Sequence, residues 1–196
     1  MIIYNDYKEL DILANLDKFN GNDFIVNNCQ PSKETIERLK IHCGKVYYCI
    51  KLYNGLDDLI YAKEAGYDYI AVDAENYTKD MKYDFVFGSI VRSAVESFDS
   101  YILLPENLGG DKYEGYDDFI LGLAPDAILM ERSYSEWRPW MLLKFYNRNR
   151  WWVNIHIGVW PDRMWPVFKQ IQMFFAKWIS KNKIFWYSES KNMPNK

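Results

Sequence analysis

Apolar and polar positions along the chain alternate between two regimes. Short runs rich in β-branched and aromatic residues occur at Ile2–Tyr4, Phe24–Asn28, Val46–Tyr53, Tyr69–Glu75, Tyr101–Pro105, Ala127–Glu131, Trp152–Val159 and Ile184–Ser188, the pattern of buried strands. Between them, apolar residues recur at helical spacing: Tyr7–Phe19 (through Leu10, Leu13 and Leu16), Ser32–Cys43, Leu56–Ala65, Asp84–Phe98, Tyr113–Leu123, Trp137–Asn149 and Asp162–Ile179. Ser32 stands where a helix N-cap is expected. Within Asp84–Phe98, Phe87, Val91, Ala94 and Phe98 keep the helical period. A strand there would leave fewer than about ten residues for a parallel crossover from Glu75, so a helix is expected.

Successive strands begin roughly 20 to 30 residues apart, the pace of one βα unit after another. The pattern predicts an α/β fold: a compact, single-domain (β/α)8 TIM-type barrel with eight strands and seven helices over residues 1–190. The polar tail 191–196 is too short to supply the final helix. The alternative is an open doubly wound sheet, but no GxGxxG follows the first strand and no GxxxxGK[ST] occurs.

Composition agrees with one folded domain: 196 residues, 49% hydrophobic and 26% charged, too apolar for a disordered chain. No apolar run approaches the roughly 18 residues of a spanning helix, and the start MIIYNDYKEL lacks the regions of a signal peptide. A cytoplasmic protein with no membrane partner is expected. Cys29, Cys43 and Cys49 show neither disulfide nor zinc spacing, and no cofactor or metal is expected.

Two features change the picture. All eight tryptophans lie between Trp137 and Trp186, and aromatics make up 18% of the chain, more than a core alone requires. Charge is also divided: residues 1–135 carry a net −11 and residues 136–196 a net +8. The basic and aromatic run KFYNRNRWW (144–152) resembles a single-strand binder's composition, but at the face opposite a barrel mouth it reads as a polar turn, so nucleic acid is not the expected partner.

A barrel of this kind places its chemistry at the carboxyl ends of its strands. Those ends carry Asn5 and Asp6, Asn27 and Asn28, Lys51 and Tyr53, Asp73 and Glu75, Glu106, Glu131 and Arg132, Trp160, and Trp186 to Glu189. Acids for proton transfer, amides for hydroxyl groups and indoles for stacking suit a carbohydrate better than a phosphate ester. In GYDYIAVDAENYT, Ala71, Asp73 and Glu75 share one strand face and Ile70, Val72 and Ala74 the other, so two acids about 6.6 Å apart along the strand would enter the mouth. Crowded carboxylates raise one another's pKa, as a general acid requires. His42 reads as a helix-end surface residue, and His156 in WVNIHIGVW as a hydrogen-bonded residue of the barrel interior.

Asp68, Ala71, Asp73 and Glu75 lie at the spacing of the DxxDxDxE signature, and over about eight residues the chain resembles the family-18 chitinase-like glycoside hydrolases. It departs from that pattern at Ala71, where the middle Asp stands, and at Tyr69, where a Gly is usual. The resemblance implies Glu75 as proton donor and Asp73 as the residue orienting the substrate's N-acetyl group, with Tyr134 and Trp186 nearest to the family's sixth-strand tyrosine and eighth-strand tryptophan. A more loosely related carbohydrate-active barrel would take Glu106, Glu131 or Glu189 as second carboxylate, and Trp160 or Trp186 as sugar platform. The expected activity is glycan cleavage or binding, with Glu75, Asp73 and Glu131 catalytic and Glu106, Tyr134, Trp160, Trp186, Glu189, Asn28 and Lys51 lining the substrate. The alternatives are a non-catalytic glycan-binding or assembly barrel, and a lyase or isomerase of a small acid that uses Lys51 and the acids. A final strand without a covering helix would leave an apolar seam, so a homo-oligomer or a subunit of a larger assembly is expected.

Overall fold

The computed structural model describes residues 2–5, 7–51, 54, 56–74, 91–94, 96–105, 122–130, 155–159 and 184–187. Its strands are β1 (Ile2–Asn5), β2 (Asp23–Val26), β3 (Val46–Lys51), β4 (Tyr69–Ala74), β5 (Ser100–Pro105), β6 (Ala127–Met130), β7 (Ile155–Val159) and β8 (Ile184–Tyr187). Neighbours in sequence pair in parallel, and β8 pairs with β1 to close the sheet into a barrel. The described helices are α1 (Glu9–Ala14), α2 (Lys33–His42) and α3 (Asp57–Ala65), with a 3-10 turn at Leu16–Phe19. The parallel α/β architecture read from the pattern is therefore present.

Strand alternation divides the core in two. Ile2, Tyr4, Ile25, Tyr47, Cys49, Ala71, Ile102, Leu104, Ala127 and Leu129 pack inside the barrel. The intervening residues, among them Ile3, Phe24, Tyr48, Ile50, Ile70, Val72 and Leu103, meet the helices. Both faces of a parallel strand are thus buried, which is why these segments read as continuous apolar runs.

Local chemistry sets the element ends. The Ser32 hydroxyl accepts from the Thr35 amide at 3.4 Å and starts α2, whose Ile36 and Leu39 are buried. α3 stops at Gly66, whose φ of +84° a glycine adopts without penalty. The continuous helix expected over Tyr7–Phe19 is broken instead. The Asn15 side chain donates to the Asp11 carbonyl at 2.7 Å, taking the acceptor that a further helical turn would use, and the tighter 3-10 turn carries Leu16 and Phe19 into the core.

Among the described residues, one strand is shorter than the pattern suggests. β2 ends at Val26, since Asn28 has φ +54° and cannot extend a strand. β3 is described to Lys51, whose amide donates to the Asp58 carboxylate at 2.9 Å; residues 52 and 53 of the expected strand lie outside the described residues. The helix expected over Asp84–Phe98 is helical at 91–94 and 96–97, with Val91 and Ala94 buried as the spacing requires. Trp137–Asn149, Asp162–Ile179, KFYNRNRWW and the tail lie outside the described residues.

Candidate active site

The inward parity of β3 runs through Tyr47 and Cys49 and reaches Lys51 at its carboxyl end; that of β4 runs through Ala71 and reaches Asp73. The two are register partners. Lys51 Nζ donates to Asp73 Oδ2 at 2.5 Å and approaches the Tyr4 hydroxyl on β1 at 3.5 Å. The side chains are only 13% and 9% exposed. Three strands thus bring a cation, a carboxylate and a phenol together at the end of the barrel that carries chemistry in this fold. Just below, the Cys49 thiol is pushed well above its ordinary range by burial, which leaves it an inert packing group.

Behind Lys51 lies a second carboxylate. Asp58, in the first turn of α3 and almost fully buried, accepts from the Lys51 amide at 2.9 Å, Asn54 Nδ2 at 3.0 Å and the Tyr48 hydroxyl at 3.4 Å. Sequence reasoning missed both Asp58 and Tyr4. The inward parity of Tyr4 on β1 was a usable signal, but nothing in the pattern distinguishes Asp58 from an ordinary first-turn acid.

Of the expected site residues, the structure joins Lys51 and Asp73. Asn28 is exposed at the end of β2 in the left-handed region, and its neighbour Asn27 is buried. Trp186 lies on β8 in register with Ile3 and Val159, and His156 on β7 opposite Leu129. Glu75, Glu106, Glu131, Tyr134, Trp160 and Glu189 lie outside the described residues. His42 closes α2 and its Nδ1 lies 2.8 Å from Asn20 Oδ1, away from the site. Among the described residues, no three His, Cys, Asp or Glu side chains form a group that could hold a metal ion. None of the described helices is long and apolar enough to cross a membrane.

No family model matches the chain, and no curated protein matches it in sequence. Solved structures match its fold. An HpcH/HpaI aldolase from Desulfitobacterium hafniense superposes with a TM-score of 0.55 at 11% identity, over 96% of this chain and 85% of the aldolase. A dihydrodipicolinate synthase from Oceanobacillus iheyensis gives 0.53 at 13% identity, over 96% of this chain and 67% of the synthase. A proposed β-galactosidase from Bacteroides fragilis gives 0.56 at 9% identity over 96% of this chain, which spans only 36% of that larger protein. At these identities the likeness is one of fold.

The chitinase-like reading is corrected. Aldolases and a synthase stand among the matching barrels where chitinases were expected. The chemistry of β4 differs too: the partner that Asp73 meets is the Lys51 ammonium of the neighbouring strand, at 2.5 Å, where a crowd of acids was expected. The glycoside hydrolase and carbohydrate-binding expectations fall with that resemblance.

Proposed function

We propose that the chain is an aldolase-type lyase in which the Lys51 amine forms an imine with the carbonyl of a small aldol and Asp73 carries the protons. The observation that supports this reading is the 2.5 Å contact between the largely buried side chains of Lys51 and Asp73. Moving one proton from Nζ to Oδ2 along this contact leaves a neutral, nucleophilic amine beside a carboxylic acid. The amine adds to the carbonyl carbon, and the resulting hydroxyl leaves as water with the proton held on Asp73. The imine nitrogen then draws the electron pair as the bond between the α and β carbons breaks. Asp73 takes the proton of the β-hydroxyl, an aldehyde departs, and the enamine left on Lys51 is protonated at carbon and hydrolysed.

The likeness to aldolase barrels fits this reading without carrying it. The test is aldehyde release from a panel of small aldols, coupled to an alcohol dehydrogenase. Lys51→Met should abolish release and Asp73→Asn should reduce it by about 10²-fold or more. Turnover that survives Lys51→Met contradicts the assignment.

The finer architecture belongs to the same proposal: residues 1–190 as one barrel whose eight βα units carry seven helices, as the spacing of the sequence pattern suggests. A homo-oligomer or larger assembly is proposed with it, on the divided charge of the chain. Light scattering at micromolar concentration is the check.

A further inference from the structure

We infer that Asp58 is the positioning residue for Lys51, an inference that rests on reading Lys51 as the reacting group. Asp58 does not touch the Lys51 ammonium. Its Oδ2 accepts from the Lys51 amide at 2.9 Å and from Asn54 Nδ2 at 3.0 Å, while Oδ1 receives the Tyr48 hydroxyl at 3.4 Å. The carboxylate belongs to the first turn of α3 and is 3% exposed, so it holds the last residue of β3 against a helix that is itself seated on the barrel. The amide it holds belongs to Lys51, the last described residue of β3 and the register partner of Asp73. Fixing that amide fixes the Lys51 Cα, and with it the arc from which a four-carbon side chain reaches Asp73 and Tyr4. A buried carboxylate needs several donors, and two of the three here come from Lys51 itself and from Asn54 three residues further on.

The test is competitive acetylation of the whole protein with trace acetic anhydride between pH 7 and pH 11, each lysine followed by peptide mass spectrometry. Lys40 is the internal control: it is partly shielded, ion-paired to Asp68 at 3.1 Å and bonded to the Gly66 carbonyl, at the opposite end of the barrel. In Asp58→Ala, Lys51 should label about tenfold faster at pH 8 and Lys40 should not change. Asp58→Asn keeps an oxygen for the Lys51 amide and should stay within about twofold of wild type. If Asp58→Ala does not fold, Asp58→Ser, which is too short to reach the amide, takes its place with the same expectation. An unchanged Lys51 profile, or Lys40 rising together with Lys51, overturns the inference. Because acetylation reads the amine without any substrate, a failed imine reaction with a shifted Lys51 profile would count against the lyase reading alone.

Discussion

Lys51 and Asp73 stand opposite each other on neighbouring parallel strands, and their side chains meet at 2.5 Å where the barrel opens. Such a pair is costly to break and inexpensive to replace. Removing one partner strands a buried charge, whereas removing both leaves only a packing problem. Lys51→Met should therefore destabilise the protein by about 3 kcal/mol, and Lys51→Met with Asp73→Leu should return to within about 1 kcal/mol of wild type. Urea unfolding measures both, and a double variant no more stable than the single one would contradict the pairing.

Glu9 ties α1 to the start of α2. Its Oε1 accepts from the Ser32 hydroxyl at 2.5 Å, the Thr35 hydroxyl at 2.6 Å and the Ser32 amide at 2.8 Å, and these bonds hold its carboxyl below the ordinary value of 4.5. A depressed folded-state pKa contributes stability above the unfolded value and loses it as pH falls through the folded one. Glu9→Gln should be less stable than wild type at pH 7, with the gap closing as pH drops below 4.5. A gap as wide at pH 2 as at pH 7 would show that the carboxylate is not the source.

Two backbone positions give opposite predictions. At Gly66, φ +84°, an added Cβ meets nothing within 4 Å, so Gly66→Ala pays only the left-handed penalty, about 1 kcal/mol. Ala124 already pays it, at φ +50°. Ala124→Gly should stabilise by roughly 0.5 kcal/mol, the relief being partly offset by a looser unfolded chain. Thermal midpoints that move in the same direction in the two variants would refute the argument.

The thiols should react in order of exposure and ionisation. Burial pushes Cys43 up to about 12, with the Asp23 charge adding to it, and raises Cys49 further, while Cys29 is partly exposed. A thiol-selective disulfide reagent at pH 8 should modify Cys29 first and reach the other two only at the rate of unfolding. Rapid modification of Cys49 in the folded protein would mean that the barrel interior is open.

The fold was legible because strands such as β3 and β4 are apolar on both faces and a helix such as α2 on one. Val46 to Lys51 and Tyr69 to Ala74 announce themselves by composition, and Ser32 by its fitness for a helix start. The break at Asn15 was not legible, because a side-chain bond to Asp11 competes with a helical pattern that Leu10, Leu13 and Leu16 continue unbroken. The site was legible only in part. Parity placed Asp73 in the mouth, but a D-x-E motif read along one strand invites a carboxylate pair, whereas the partner that meets Asp73 comes from the strand beside it. Cross-strand register is not written in either strand alone. Asp58 was hidden for the same reason: its partners Tyr48 and Lys51 belong to the preceding strand.

The most direct test of the lyase account is borohydride trapping. The protein is incubated with pyruvate, with dihydroxyacetone or with acetaldehyde, reduced, and mapped by peptide mass spectrometry. The account predicts a secondary amine at Lys51, heavier by the carbonyl compound less one oxygen atom, formed in preference to exposed lysines such as Lys33 and lost in Asp73→Asn. Adducts spread over the exposed lysines with Lys51 unmodified would contradict it.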